Sequence, residues 1–145
     1  MVVAGGYRFL DHMTDAVIEA YGNTLEEAFV QGARGLVDTM VDISAVRPVT
    51  EIKIEAEGHD LESLLFDWLD KVMLLMVSDG VAMSEFSVKI QKQDDDSYSL
   101  TGTAKGEKID LARHHYKVEI KAITYHEMLV RQENDRVTIR FLMDL

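Results

Sequence analysis

Residues 24–41 read TLEEAFVQGARGLVDTMV and have the apolar spacing of an amphipathic helix. Apolar and small side chains recur at intervals of three and four residues, which places them on one helical face. This face consists of Leu25, Ala28, Phe29, Gly32, Ala33, Leu36, Val37, Met40 and Val41. Thr24 and Glu27 have the spacing of a capping box at a helix N-terminus. Because Gly32 and Ala33 lie on the apolar face, a β-sheet could approach this helix closely.

A second helix is predicted after Asp60, a favourable N-cap residue. Its apolar side chains also recur at helical intervals. They are Leu61, Leu64, Leu65, Trp68, Leu69, Val72, Met73 and Met76. Phe66 and Leu74 lie off this stripe, so we expect the helix either to be nearly buried or to offer an apolar patch to a partner. The polar residues 78–80 end it.

Elsewhere apolar and polar residues alternate, which is typical of half-buried strands. The expected strands cover residues 7–10, 16–21, 51–57, 86–91, 98–104 and 137–143, with one run around Val118, Ile120 and Ala122 and another carrying Met128 and Val130. A polar turn at residues 94–97 predicts a hairpin. Two amphipathic helices on one face of a mostly antiparallel sheet of about six strands give an α+β, two-layer sandwich. With no repeat and no linker, we expect one domain over residues 1–145.

The charge balance restricts the class of partner. The chain has 15 Lys and Arg against 26 Asp and Glu, a formal net charge of −11. Such a surface repels phosphate backbones, because nucleic-acid affinity comes largely from basic side chains that neutralise phosphates. Only residues 105–140 are locally basic, with eight Lys and Arg against six Asp and Glu. An acidic body suits a basic protein partner or a cation better than RNA, and solubility alone is the alternative interpretation.

Several classes of activity are excluded by what the chain lacks. It has no cysteine, which rules out disulfides, thiolate metal ligands and a cysteine nucleophile, and fits a reducing compartment. No apolar run approaches the ~20 residues of a membrane span, and the first residues lack the charged flank of a signal peptide. The common nucleotide-binding, esterase and zinc-protease motifs are also missing. We therefore expect a cytoplasmic protein without membrane contact.

Potential metal ligands occur at both ends of the chain. Asp11, His12 and Asp15 fall between two short predicted strands. Carboxylate oxygens suit Ca²⁺, Mg²⁺ or Mn²⁺, and an imidazole favours a transition metal. The last strand runs directly into Asp144 and Leu145. If it lies beside the first turn, several carboxylates converge, at a cost that a divalent cation would relieve. Turn capping at one end and a solvated acidic tail at the other are the alternatives.

Residues 121–128 break strand alternation. The order Ile123-Thr124-Tyr125 predicts a bulge or a bend. Polar, titratable and aromatic side chains at such a position make a candidate docking surface for a partner, formed by Lys121, Tyr125, His126 and Glu127. A bulge with a purely structural role is the alternative.

These features together resemble the archease family. The residues that carry the resemblance are Asp11-His12-Met13-Thr14-Asp15-Ala16, the stretches 18–22 and 24–29, Leu64, Leu65, Trp68 and Leu69, the run Lys121-Ala122-Ile123-Thr124-Tyr125-His126-Glu127, and the ending from Phe141 to Leu145. The match covers nearly the whole chain in order, and the run 121–127 is its most specific part. The loop 77–84 and the turn 94–96 depart from the family pattern, which leaves partner contacts there open.

The resemblance implies a non-enzymatic protein cofactor. Archeases assist the RtcB-type RNA ligase of tRNA splicing and RNA repair, promoting its GTP-dependent guanylylation and its repeated turnover, so contact with RNA is indirect. The family's metal site implies Asp15, Asp144 and Leu145 as ligands of a divalent ion, Ca²⁺ first and Mg²⁺ or Mn²⁺ as alternatives. Asp11 and His12 fall in the same motif and are given a supporting role.

Two other classes remain open for the function. A metal-dependent phosphoester hydrolase could use a carboxylate-bound ion to activate water. An RNA-binding or RNA-chaperone module could work through the basic residues 105–140, and its affinity would then fall steeply with added salt.

Overall fold

The computed structural model describes residues 5–10 and 15–145. In these residues it contains two helices, α1 and α2, seven strands, β1 to β7, and one short 3₁₀ helix. In chain order they are β1 Gly6–Leu10, β2 Asp15–Gly22, α1 Leu25–Met40, the 3₁₀ helix Ile43–Ala45, β3 Thr50–Gly58, α2 Leu61–Val77, β4 Val81–Lys92, β5 Tyr98–Lys108, β6 Ala122–Glu133 and β7 Arg136–Asp144. The fold class is confirmed as α+β, with two amphipathic helices packed on antiparallel sheet structure.

The strands are divided between two sheets, where the sequence suggested a single one of about six strands. The first sheet has the order β1-β2-β7-β6 and the second has the order β3-β5-β4. All their pairings are antiparallel. Helix α1 contacts β1, β2 and β7 of the first sheet and β4 of the second, while α2 contacts β6 of the first and all three strands of the second. Each helix therefore packs against both sheets.

This double contact explains the burial of the helices. Trp68 of α2 is fully buried, lies edge-on to Phe86 of β4, and donates its indole N–H to the carbonyl of Phe29 in α1 at 3.0 Å. On α1, Gly32 lies against Ile139 and Phe141 of β7. As the sequence suggested, a small residue on the apolar face lets a sheet approach closely.

Both helices begin at the predicted N-cap residues, but the Glu27 carboxylate has a different hydrogen-bond partner from the one predicted. Asp60 accepts the Ser63 N–H at 2.7 Å while Ser63 Oγ accepts the Asp60 N–H, which completes a reciprocal capping box. At α1, Thr24 Oγ1 accepts the Glu27 N–H at 3.1 Å. The Glu27 carboxylate, however, accepts from the N–H of Asn23 rather than from that of Thr24. In each helix a side chain thus accepts one backbone N–H of the first turn.

One predicted strand is wrong. The run around Val118, Ile120 and Ala122 is not a single strand, because residues 109–121 form turns and irregular structure and β6 begins only at Ala122. Ile120 is nevertheless buried in the core. Alternating burial in an irregular segment gave the same pattern as a strand. The other predicted strands match observed ones to within a few residues at their ends.

Candidate functional site

The ends of β2 and β7 bring two predicted metal ligands together. In the antiparallel register of these strands, Asp15 lies directly opposite Asp144. Residues opposite each other in such a pair point to the same face of the sheet, with Cβ atoms about 5 Å apart. Asp144 is exposed and Asp15 is partly exposed. We call this pair of carboxylates, with Leu145, the acidic tip.

The other side of Asp144 is fixed by β6. Asp144 is the register partner of Ala122, and its carbonyl accepts the N–H of Lys121 at 2.8 Å. Leu145, which directly follows Asp144, is half-buried and packs against the core. The predicted contact residue Lys121 is exposed. The start of β2, the end of β7 and the start of β6 therefore meet at one end of the sheet.

The donor set of the acidic tip fits a hard divalent cation. The two carboxylates stand opposite each other on neighbouring strands, and carboxylate oxygens are the ligands that Ca²⁺ and Mg²⁺ prefer. Over residues 5–10 and 15–145, no group of three or more His, Asp or Glu side chains is placed to hold a metal. The predicted supporting residues Asp11 and His12 lie outside the described residues.

Further along the same sheet face, beyond the Val17–Leu142 row, the charge arrangement is different. Glu19, four residues after Asp15 on β2, lies between Arg8 of β1 and Arg140 of β7 at 2.7 and 3.4 Å. Burial opposes ionisation of Glu19, but hydrogen bonds from both arginines outweigh it and lower the pKa of this carboxyl. The sheet thus pairs a carboxylate with cations in one row and sets two carboxylates opposite each other at the tip.

The predicted irregularity in residues 121–128 is a large bulge. The register jumps between Thr124, opposite Leu142, and Leu129, opposite Arg140, so four residues of β6 face one of β7. Glu127 has φ 60°, a conformation that is uncommon for a residue other than glycine. Tyr125, His126 and Glu127 are all exposed, and the His126 N–H is held by Thr124 Oγ1 at 3.1 Å. We call residues 125–128 the β6 bulge.

No sequence motif indicated the cluster that holds residues 109–121 in place. His114 is fully buried, and its Nε2 lies 2.8 Å from the Glu107 carboxylate. Its Nδ1 accepts the Asp110 N–H at 2.9 Å, so the ring is in the Nε2–H form and donates to Glu107. The N–H of Arg47 also binds this carboxylate, and the Arg113 guanidinium lies 2.8 Å from it.

The same segment is tied to the end of α1. The Lys117 N–H donates to Met40, and the Asp42 N–H donates to His114. Hydrogen bonds from the Arg47 N–H, His114 and Arg113, in that order, lower the pKa of Glu107 to about 2. These contacts position the chain that leads into Lys121. The cluster was missed because its members belong to no known motif and because Arg47 is 60 residues from Glu107 in the sequence.

Comparison with known protein families shows which family the chain belongs to. Residues 7–145 match the Archease protein family (MTH1598/TM1083). The chain belongs to the archease family. Archeases from Pyrococcus furiosus and Methanopyrus kandleri are 44% and 38% identical to it, over 86% and 94% of this chain and 87% and 96% of theirs. The resemblance inferred from the motifs is therefore confirmed.

Solved structures show the same archease fold. A solution structure of Methanobacterium thermoautotrophicum protein 1598 matches with a TM-score of 0.81 and 39% sequence identity. The match covers 97% of this chain and 99% of that one. A crystal structure of an archease from Thermotoga maritima, described as a possible chaperone, has a TM-score of 0.58 at 21% identity and covers 94% of each chain. At that identity only the fold is compared.

Within the part of this archease that the structure describes, no helix combines the length and the hydropathy needed to cross a membrane.

Proposed function

We propose that this archease is a non-enzymatic protein cofactor that activates an RtcB-type RNA ligase. In this role it promotes the ligase's GTP-dependent guanylylation and its repeated turnover in tRNA splicing and RNA repair. The observation that carries the proposal is the register that sets Asp15 opposite Asp144. Membership of the archease family supports the choice of partner. The absence of cysteine suits work in the reducing cytoplasm.

The acidic tip would hold the metal ion. Asp15 and Asp144 would bind a Ca²⁺, Mg²⁺ or Mn²⁺ ion through their side chains, with Leu145 as the third ligand. Such an ion supplies concentrated positive charge, which attracts phosphate oxygens. Lys121 is exposed one residue before the strand partner of Asp144, so its ammonium group can add to this charge at the same end of the sheet.

The chain's own residues contribute positioning rather than bond making. The backbone contact between Lys121 and Asp144 fixes the start of β6 to the tip. The β6 bulge then presents Tyr125, His126 and Glu127 beside it, which suits a surface that docks on another protein. The description of the Thermotoga relative as a possible chaperone agrees with action on a protein partner.

A ligation time course with limiting ligase tests this proposal. RNA with a 3′-phosphate end and RNA with a 5′-hydroxyl end are incubated with GTP, Mn²⁺ and substoichiometric ligase, with and without this archease. We expect several turnovers per ligase only when the archease is present. Asp144→Asn should remove most of the stimulation, while Asp96→Asn, an equal charge change in the β4–β5 turn, should not.

The same assay separates the alternatives. No increase in turnover with the wild-type protein would contradict the proposal. Phosphoester hydrolysis by the isolated chain would favour a metal-dependent hydrolase. Tight, steeply salt-dependent RNA binding by the isolated chain would favour an RNA-binding module.

A further inference from the structure

Two aromatic rings form an exposed stack between α2 and the β6 bulge. The rings of Phe66 and Tyr125 are nearly parallel, with an interplanar angle of 6° and centroids 4.4 Å apart. Tyr125 is nevertheless 55% exposed. Because Phe66 covers one face of the Tyr125 ring, the exposed area must include the other face. The stack therefore presents an open aromatic face to solvent.

The charged groups that act on this ring are carboxylates. Burial against Phe66 raises the pKa of Tyr125, and the negative charges of Asp60 and Asp67 raise it further. Asp60 is the N-cap of α2 and its side chain is 51% exposed. Asp67 is more protected, since it bonds Lys71 at 3.1 Å and the N–H of Glu57 at 2.9 Å. Asp60 is thus the carboxylate more available to a partner.

The helix face around Phe66 repeats this combination of acidic and apolar groups. Glu62 and Asp70 lie four residues before and after Phe66, the spacing of neighbours on one helical face. Leu74 follows Asp70 by a further four residues, and Leu74 and Val77 are 42% and 41% exposed. The off-stripe residues Phe66 and Leu74 therefore lie on a partly exposed, acidic and apolar side of α2.

We propose that the Phe66–Tyr125 stack, bordered by Asp60 and Glu62, is a docking site for an arginine or lysine side chain of a basic segment in the partner protein. The cation lies over the open face of Tyr125, while its hydrogen-bond donors reach the carboxylates. A cation within about 6 Å of an aromatic ring centroid is attracted by the ring's electron-rich face. Leu74 and Val77 extend the contact to apolar residues of the same segment.

Charge decides between a basic protein segment and a nucleobase as the occupant. Exposed aromatic rings also stack on the bases of single-stranded nucleic acid. Proteins that bind such strands place the rings in a positively charged groove, whereas the charges that act on this ring are the carboxylates of Asp60 and Asp67. Phosphates would be repelled here and a basic side chain attracted.

The docking site lies near the acidic tip. Tyr125 follows Ala122, the strand partner of Asp144, by three residues, or about 10 Å of extended chain. Asp144 points to the sheet face away from the helices, so a partner that contacts both sites must reach around β6, the edge strand of this sheet. This inference rests on the proposed function for the identity of the partner, the RNA ligase, but the chemistry of the site can be tested without it.

The first experiment measures the dissociation constant between the archease and an RtcB-type ligase. We expect Tyr125→Ala to raise it roughly tenfold, since both the cation–ring attraction and the apolar contact are lost. Tyr125→Phe keeps the ring and should stay within about twofold of wild type, while Tyr125→Leu keeps apolar packing over Phe66 and should still weaken binding by about fivefold. Thermal unfolding of each variant excludes a folding defect.

The carboxylates have a matched pair of variants. Asp60→Asn removes the charge but keeps the helix cap, because Asn and Asp are equally good N-cap residues. It should weaken binding about threefold at low salt and less as added KCl screens the pair. Asp96→Asn removes one charge from the exposed β4–β5 turn, where the positive φ of Asp96 suits Asn. It should leave binding unchanged.

The outcomes separate this inference from the proposed function. The proposed docking site is contradicted if the Tyr125→Leu variant binds the ligase as tightly as wild type. It is also contradicted if a single-stranded RNA oligonucleotide binds in a Tyr125-dependent way. Either result would leave the proposed activation of the ligase standing. If the wild-type protein does not bind the ligase, the proposed function fails. The peptide acetyl-Gly-Arg-Arg-Gly-amide, titrated while the Tyr125 and Phe66 ring resonances are followed by NMR, then decides the inference alone. Saturable shifts that Tyr125→Leu abolishes support it, and unchanged shifts overturn it.

Discussion

Glu107 connects three separate parts of the chain through one carboxylate. It accepts from His114, from Arg113 and from the backbone N–H of Arg47. All these donors favour the charged form, which explains why the pKa of Glu107 falls to about 2. A buried histidine with both ring nitrogens satisfied is consequently a structural element of this protein rather than a catalytic base.

The shifted pKa of Glu107 predicts a specific dependence of stability on pH. Its value in the folded protein, about 2, lies below its ordinary value of 4.5. The stabilisation is therefore fully present above about pH 4.5 and is lost as the pH falls toward 2. Urea unfolding of wild type and Glu107→Gln should show a stability gap that narrows from pH 6 to pH 3. A gap that stays constant or widens over this range would contradict the assignment.

Two glycines provide a test of close packing at the residue scale. A Cβ on Gly106 would overlap the Ala82 carbonyl oxygen, a backbone atom beside the β4 irregularity at Met83 and Glu85. Gly106→Ala should cost on the order of 3 kcal/mol in unfolding free energy, because the two strands must separate.

Gly32→Ala is the matched control for this substitution. There the nearest atom is the flexible Cδ1 of Ile139 at 2.7 Å, and the better helix propensity of Ala, about 1 kcal/mol, offsets the crowding. In denaturant unfolding, the Gly106→Ala variant should have a much lower free energy of unfolding than the Gly32→Ala variant. Equal losses in the two variants would show that β4 and β5 can separate at little cost.

At the scale of elements, the helices complete the edges of the second sheet. On β4, the Ser84 carbonyl accepts from Arg34 and the Ile90 N–H donates to Glu26. On β3, the Glu55 carbonyl accepts from Lys71 and the Glu57 N–H donates to Asp67. Side chains of α1 and α2 thereby occupy backbone groups that would otherwise be open to pairing with another chain.

The α2 cap gives a prediction at this scale. Asp60→Ala removes the acceptor for the Ser63 N–H and should lower the free energy of unfolding by about 1 kcal/mol. Asp60→Asn should lose at most a few tenths of that amount, since Asn caps equally well. Chemical denaturation near neutral pH measures both. A loss in Asp60→Asn as large as in Asp60→Ala would mean that charge, not capping, stabilises the start of α2.

Local patterns predicted most of the elements but not their arrangement. The helical stripes and caps at Thr24 and Asp60 were sufficient because these signals are contained within a few residues. The run at residues 118–122 was misinterpreted, since Ile120 is buried in an irregular segment that backbone hydrogen bonds of His114 and Lys117 hold against the distant end of α1. Burial that depends on long-range contacts leaves no local period by which to recognise it.

At the scale of the whole molecule, the sequence predicted one sheet and the structure has two. Period-two alternation shows that a strand has a buried face, but not which other strand pairs with it. Both α1 and α2 contact both sheets, which the single apolar stripe of each helix did not show. Phe66 and Leu74, beside the α2 stripe, lie instead on the partly exposed side of this helix. The meeting of Asp15 with Asp144 likewise depends on the pairing of β2 with β7, across almost the full length of the chain.

The acidic tip leads to a choice of variant for testing metal binding. Deleting residues 144 and 145 would remove the carbonyl that accepts the Lys121 N–H and a side chain that packs on the core. Such a deletion would confuse loss of metal with loss of structure. Asp144→Asn keeps the backbone contacts and the strand register while it removes one carboxylate, so it is the cleaner change.

Isothermal titration calorimetry of the wild-type protein and of Asp144→Asn with CaCl₂, MgCl₂ and MnCl₂ is the most direct measurement. We expect one ion per wild-type chain and an affinity at least tenfold lower for the variant, because a carboxylate ligand is replaced by a neutral amide. Asp96→Asn, with the same change in net charge, should bind like wild type. Equal affinities of wild type and Asp144→Asn, or no heat of binding with any of the three ions, would contradict a metal site at the acidic tip.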